Sequence, residues 1–398
     1  MSKTSAVLEI LLVFLRLGFT SFGGPVAHLG YFQKEFVGKK KWLDEAAFAE
    51  LVALCQFLPG PASSQLGFSI GYLRGGFGGA VAAFIGFTLP SALVMIACGY
   101  GVAMINPQAP WIHGLKIAAV AVVAQAVWAM GYKLCPDRKR FAFACAALAA
   151  ALIVTWTGIQ LVLIGAGLCC GMIFLRKGYG NIPPVSAGQF AVVESKRSAL
   201  ISLMIFAGLF ILLPLTSGFY PGQWTQGAAD FYRVGSLVFG GGHVILPLLE
   251  TETVGRELLS HDEFLAGYGM AQALPGPLFS FAAYLGVVMA RSGPGWIGGL
   301  WCLMFVFLPG LLLILGVLPF WSNLRSSPLS QAALRGANAV VVGILAAAFI
   351  HPVWTGSVTS PGSLILAVTA FAALQFARLP AWLLVISCAI CAGILNIR

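Results

Sequence analysis

Of the chain's 398 residues 59% are hydrophobic and only 9% are charged, far below the roughly 25% charge of soluble domains, which excludes a soluble globular protein. Long apolar runs between short polar stretches exclude an outer-membrane barrel as well, whose strands alternate over roughly ten residues. The formal charge of +10 sits on no soluble domain, so it argues for basic loops on one side of a membrane and an anionic substrate, not for nucleic acid.

In chain order, apolar segments fall at about 5–29, 46–72, 76–104, 111–132, 139–155 and 158–176. The stretch Met1 to Phe14 carries one Lys and no small-residue cleavage site, and reads as the start of the first membrane segment. A polar linker, Lys177 to Lys196 with Pro183-Pro184, separates these from segments at about 197–217, 226–249, 263–290, 295–320, 329–350, 362–376 and 379–397. The nine cysteines lie mostly inside apolar runs, without CxxC or metal spacing, and read as small buried residues.

The pattern is six, one and six, and the two sixes are related. Arg16-Leu17-Gly18 with Phe22-Gly23-Gly24 matches Arg233-Val234-Gly235 with Phe239-Gly240-Gly241 at a constant offset. Glu35 and Val37 match Glu252 and Val254, and Phe48 matches Phe264. Gln56-Phe57-Leu58-Pro59-Gly60-Pro61 matches Gln272-Ala273-Leu274-Pro275-Gly276-Pro277, followed by Ser64 against Ser280. Arg74 then matches Arg291, Leu89-Pro90 matches Leu308-Pro309, and Leu115-Lys116 matches Leu334-Arg335. So many special residues in register indicate duplication. The expected fold is an all-α polytopic membrane protein of two inverted repeats with broken or re-entrant helices. Its expected parts are a first repeat over 1–176, a linker and connecting transmembrane helix over 177–225, and a second repeat over 226–398.

Charge argues for the inversion. Residues 34–41 are basic, whereas Glu250 to Glu263 holds Glu250, Glu252, Glu257, Asp262 and Glu263 against one Arg. The positive-inside rule puts the first loop and the N-terminus in the cytoplasm and the second loop outside. That arrangement requires 5–29 and 46–72 to enter and return as hairpins, with tips at Gly23-Gly24-Pro25 and Pro59-Gly60-Pro61. Full crossings would instead give thirteen spans.

The Phe-Gly-Gly motif, Trp42-Leu43 with Phe48 before the Pro-Gly-Pro stretch, Gly71-Tyr72, Leu89-Pro90 and the second copy together resemble the chromate transporter family in its long two-domain form. The resemblance covers nearly the whole chain. It implies export of chromate across the bacterial inner membrane, giving chromate resistance, with sulfate as the natural competing oxyanion. The implied partners are a chromate- or sulfate-like oxyanion and membrane lipid, with a homodimer as a further option. No cofactor, metal or nucleic acid is implied.

The residues themselves suggest how an oxyanion would be held. With Gly60 as cap and Pro61 as first helical residue, the N–H groups of Ala62, Ser63 and Ser64 point into the break, and Leu278, Phe279 and Ser280 do the same in the second copy. Such helix N-termini attract anions, and paired interrupted helices near the midplane are typical of inverted-repeat transporters. The alternative is a kink that serves packing only. Arg16 and Arg233 sit in matching membrane segments and suit oxyanions; their alternative is a structural ion pair, Arg16 with Glu9 or Glu50. Gly23, Gly24, Gly240 and Gly241 permit close approach of a ligand or of another helix. Gln56 and Gln272 precede the breaks and suit either freed backbone groups or the ligand. His28, His243 and Glu50 are candidates for proton coupling, each with a structural alternative. Lys116 and Arg335 suit snorkelling, and Arg74 and Arg291 suit loop anchoring.

Enzyme chemistry lacks its motifs, with no HExxH, Walker or CxxC signature. A channel could use the same broken helices, but duplication favours alternating access. Chromate export is the leading reading, with sulfate or other oxyanion uptake or exchange behind it.

Overall fold

The structure is a computed structural model that describes residues 3–104, 109–154, 156, 158–176, 195–290 and 293–397. Residues 177–194 of the polar linker, and Arg291, lie outside the described residues. The described residues form helices and turns without a strand.

Proline, glycine and cap residues punctuate the chain. Helix α1 (Lys3–Thr20) stops before Gly23, whose φ is 99°, and α2 (Gly24–Phe32) turns back through a π-helical stretch, Gln33–Lys39. Next, α3 (Glu45–Phe57) starts where the Asp44 side chain accepts from Ala47 N. After the Pro-Gly-Pro break, α4 (Ala62–Met104) is interrupted at Gly75 and Gly76, the latter with φ 63°. It is therefore two arms, one short and one long. Helices α5 (Pro110–Leu134), α6 (Arg138–Ile153) and α7 (Ile159–Phe174) complete the first half. Then α8 (Lys196–Phe219) connects the halves.

The second half returns to the same order of elements. Helix α9 (Gln223–Leu237) leads through a short turn into α10 (Ile245–Thr253), and α11 (His261–Ala273) opens with a capping box between Ser260 and Glu263. After the second Pro-Gly-Pro come α12 (Phe281–Val288), α13 (Gly295–Val317), α14 (Trp321–Ser326), α15 (Pro328–Ala348), α16 (Thr355–Ser357), α17 (Pro361–Gln375) and α18 (Ala381–Leu395).

Among the described residues, five stretches are long and apolar enough to cross a membrane, within α4, α5, α8, from α13 into α14, and from α15 into α16. Helices α6, α7, α17 and α18 have 15 or 16 residues, about 24 Å at most at 1.5 Å per residue. They are apolar but shorter than the roughly 20 residues of a full perpendicular span. Helix α8 lies on the outside, with Ile211, Leu212 and Phe219 exposed as a lipid-facing surface requires.

Small residues set the helix contacts. Helix α1 packs along α4 and α9 along α13. A Cβ at Gly18 would come within 2.9 Å of Phe87 O, and one at Gly235 within 2.1 Å of Val306 O, so both pairs touch backbone to backbone at matching positions. The fifth helices are exchanged: α5 packs on α17 and α18, whereas α15 packs on α6 and α7. Gly114 lies against the Cys388 carbonyl and Gly343 against that of Ala144. Neither half is a separate bundle.

Two contacts give directions. Lys40 Nζ lies 2.8 Å from Glu9 Oε1, so the chain after α2 has come back to the end where α1 began. The far end of α4 meets the opposite half, because Trp296 N donates to Tyr100 Oη at 2.9 Å. The short turn before α13 therefore sits at one end of the long arm of α4 and the Gly75-Gly76 turn at the other.

Candidate functional site

The breaks meet one another across the halves. Gly60 N donates to Val238 O at 2.8 Å, and Gly276 N donates to Ser21 O at 2.9 Å. Val238 and Ser21 are the residues just before the two Phe-Gly-Gly turns, so each Pro-Gly-Pro is tied to the other half's first break. A Cβ at Gly242 would lie 3.0 Å from Pro25, which brings the two Phe-Gly-Gly turns side by side as well. Gly23, Gly24, Gly240 and Gly241 all have positive φ, as do Gly60 and Gly276 at 122° and 94°. Glycine supplies that conformation without strain.

Each Pro-Gly-Pro also rests on the long helix of the other half. Gly310 of α13 meets Gly60 and Pro61, and Gln65 Nε2 donates to Pro59 O at 2.9 Å and to Gly310 O at 3.1 Å. In the second copy Gly276 abuts Ser91 of α4, whose Oγ is 2.6 Å from Ser280 Oγ. The positions correspond, since Gly310 and Ser91 each follow the helix proline of a Leu-Pro pair. Gln65 and Ser91 carry the contacts that the sequence reading missed: Gln65 stands four residues after Pro61 and braces its own break, whereas Ser91 becomes a neighbour of a break only through the tertiary exchange.

The helix starts differ from the expectation by one residue. Pro61 is the cap, not Gly60, and Gln65 N is the first to bond back, to Pro61 O at 2.9 Å. Ala62, Ser63 and Ser64 therefore do carry the N–H groups ahead of the first helical bond. In the second copy Ser280 N closes a tighter turn on Pro277 O at 3.0 Å, leaving only Leu278 and Phe279. Ser63 and Ser64 are buried, and Ser64 Oγ, Gln65 Oε1, Thr88 Oγ1 and Gln272 Nε2 are buried without a hydrogen-bond partner among the described residues. Unpartnered buried donors and acceptors cost about 1–3 kcal/mol each, and groups retained at that cost are available to a polar guest. Gln56 points outward and is exposed, unlike its counterpart Gln272.

The arginines have partners. Arg16 Nη2 lies 2.6 Å from Glu35 Oε1, and Arg233 Nη2 lies 2.6 Å from Glu252 Oε1. The partner of Arg16 is thus the duplicated Glu35, not Glu9 or Glu50. Lys39 and Arg256, at the same offset, approach the same glutamates at 3.8 and 3.0 Å. In the second half Asp230 joins, within 2.9 Å of Arg233 and 3.0 Å of Arg256; Val13 stands in its place in the first. Arg233, Arg256 and Glu252 line a cavity of about 250 Å³ with Gln160 and Trp156. The shared offset of Lys39 and Arg256 was the sequence signal that would have revealed the cluster.

Other candidates are fixed structurally. Glu50 binds Arg325 Nη1 and accepts from Trp321 Nε1 at 3.0 Å. Glu35 is more buried than Glu50, at 5% against 8% exposure. His28 Nε2 donates to Ser21 O at 3.1 Å, beside the carbonyl lone pair used by Gly276, and His243 Nδ1 is 3.0 Å from Tyr268 Oη. Lys116 is bound to Asp262 at 2.8 Å with its side chain 8% exposed, so it is paired rather than snorkelling. Arg74 stacks over Trp42 at 5.2 Å.

The family model described as chromate transporter matches residues 8–173 and again 225–394. A probable chromate transport protein of Synechococcus elongatus is 27% identical over 85% of this chain and 82% of its own. The chromate transport protein of Cupriavidus metallidurans is 26% identical over 95% and 90%. An uncharacterized Bacillus subtilis transporter, YwrB, is 29% identical over 41% of this chain and 82% of its own, so a relative of half the length exists. No solved structure matches the chain.

Proposed function

The chain belongs to the chromate transporter family, and from that premise we propose that it exports chromate from the cytoplasm through alternating access at the four crossed breaks. The carrying observation is the reciprocal pair of bonds from Gly60 N to Val238 O and from Gly276 N to Ser21 O. Two interrupted helices whose tips exchange hydrogen bonds form a site shared by both halves, and rocking one half against the other opens it to either side. The proposed oxyanion ligands are the N–H groups of Ala62, Ser63 and Ser64, the Ser64 hydroxyl and the Gln272 amide, with Leu278 and Phe279 N–H across the break. Gly23, Gly24, Gly240 and Gly241 leave room for the anion, and Pro59, Pro61, Pro275 and Pro277 keep the breaks open. Ser280 is engaged with Ser91 and positions the second break.

Arg16 and Arg233 act in this reading as a field around the path. Among the described residues the first cluster carries Arg16 and Lys39 against Glu35, an excess of positive charge that favours a dianion. The proposed halves are inverted and comprise residues 1–176 and 226–398, joined by α8, in a bacterial inner membrane with the N-terminus inside. The opposite placement of the two short turns along α4 supports this. A negative interior favours outward movement of a dianion by about 2.3 kcal/mol per charge per 100 mV, so potential alone can drive export. Glu50, His28 and His243, engaged by Arg325, Ser21 and Tyr268, hold structure in this reading and do not couple protons.

Labelled chromate flux into everted vesicles tests the proposal. Accumulation that is insensitive to sulfate and lost in Ser64→Ala/Gln272→Ala supports export at the breaks. Chromate-insensitive sulfate uptake by whole cells overturns it in favour of a sulfate carrier.

A further inference from the structure

Beside the donors of the first break stands an acceptor whose direction is fixed. Gln65 is 0% exposed, and its amide lies against the break itself: a Cβ at Gly60 would be 2.9 Å from Nε2 and 3.4 Å from Cδ. A side-chain amide can ordinarily be turned over to offer either end. This one cannot, because Nε2 donates to two carbonyls, Pro59 O at 2.9 Å and Gly310 O at 3.1 Å, and a turned amide would set its oxygen against both. Oε1 is therefore an acceptor by necessity, and it is buried with no donor among the described residues.

The second break has no equivalent, since Phe281 stands at the position matching Gln65. The acceptor thus belongs to the first break alone, next to the N–H groups of Ala62, Ser63 and Ser64. A fully ionised oxyanion offers only acceptors, which suit those N–H groups and repel Oε1. A monohydrogen oxyanion offers bare oxygens and one O–H, which satisfies both kinds of group. Charged and titratable groups around the break are engaged elsewhere. Helix α13, on which the Gln65 amide rests, has no charged residue; Glu50 is held by Arg325, Arg16 by Glu35, His28 by Ser21 O and His243 by Tyr268.

On the reading that the breaks hold the transported anion, we infer that the first break selects the monohydrogen form of a tetrahedral oxyanion. Gln65 Oε1 accepts the O–H of that anion, and the N–H groups of Ala62, Ser63 and Ser64 hold its bare oxygens. This selection separates chromate from sulfate, whose dianions are alike in shape, because hydrogen chromate persists near neutral pH and hydrogen sulfate only in strong acid. A site built to pair an O–H rejects the analogue that lacks one. The arginine clusters attract either ionisation state and Gln65 chooses between them, so one charge crosses with each anion instead of two.

Chromate flux into everted vesicles tests this at fixed total chromate, with the lumen buffered and the potential clamped by potassium and valinomycin. As the bath pH rises from neutral, the initial rate should fall about tenfold per pH unit once the dianion predominates. Gln65→Lys keeps a donor for Pro59 and Gly310 but offers no acceptor; its profile should flatten, and sulfate should begin to inhibit. Competition on the wild type needs no variant to fold. Unlabelled phosphate, which carries O–H groups, should inhibit, whereas sulfate and perchlorate should not, and perchlorate separates single charge from the hydrogen bond. A wild-type rate that stays level with pH, or equal inhibition by perchlorate and phosphate, overturns the inference; export at the breaks still stands if Ser64→Ala/Gln272→Ala abolishes flux. Flux that survives Ser64→Ala/Gln272→Ala removes the underlying reading, and the inference with it.

Discussion

Glu252 stands between two arginines and Glu35 between an arginine and a lysine, yet among the described residues only the second-half cluster is closed by a further acid, Asp230. Position on the surface decides what each pair contributes. The Arg16 side chain is 54% exposed, so water replaces most of what Glu35 gives it, and an exposed pair is worth about 1 kcal/mol or less. Arg233 is 24% exposed and Arg256 29%, and removing one member of a buried network costs about 3–5 kcal/mol. Asp230 still serves both arginines, which keeps the loss near the lower figure. Glu252→Gln should therefore lower the unfolding temperature in detergent clearly, and Glu35→Gln only slightly; equal losses would mean that burial does not govern these pairs. Glu50 gives a separate test of proton coupling. Its carboxylate is occupied by Arg325 and Trp321, so Glu50→Gln should reduce stability while leaving the pH profile of chromate flux where it was. A shifted profile would make Glu50 a coupling residue.

At the scale of elements, the breaks were legible because proline and glycine act locally. A proline removes a donor and a glycine admits positive φ wherever they stand, so Gly23, Gly60, Gly240 and Gly276 could be placed from sequence. What each break touches was not legible, because Gln65 to Gly310 and Ser91 to Ser280 join residues far apart in the chain. The halves' exchange of α5 and α15 was equally hidden, since apolar helices of similar composition do not announce their neighbours. Gly276→Ala measures the strain directly. Its φ is 94°, and an added Cβ would lie 2.9 Å from Ser91 Oγ, so a cost of about 1–3 kcal/mol and a large loss of flux are expected. Retained flux would separate the second break from transport. A reversible lock is a stricter test. In a background without the native cysteines, Ser91→Cys/Ser280→Cys should form a disulfide that stops flux, and reductant should restore it. Unchanged flux in the oxidised protein would show that this contact stays closed through the cycle.

For the whole molecule, the question is whether the two halves face opposite ways across the membrane. The family model matches twice, and a relative of half the length exists, which agrees with duplication but is silent on direction. Opposite directions are supported by Lys40 returning to Glu9, which brings the chain after α2 back beside α1, and by Tyr100 meeting Trp296 at the opposite end of the long arm of α4 from Gly76. If α4 crosses the membrane once after Gly76, the loops after α2 and α10 must open to different sides. Charge agrees, since the first loop is basic and the second acidic. Single cysteines decide the matter, again without Cys145, Cys169 and Cys391, which are exposed. Lys40→Cys should react with an impermeant thiol reagent only in everted vesicles, and Glu257→Cys only in intact cells opened at the outer membrane. Both positions are exposed, so a failure to react reports sidedness and not burial. Labelling of both from one side would make the halves parallel, and a site that opens by rocking inverted halves would then have no geometric basis.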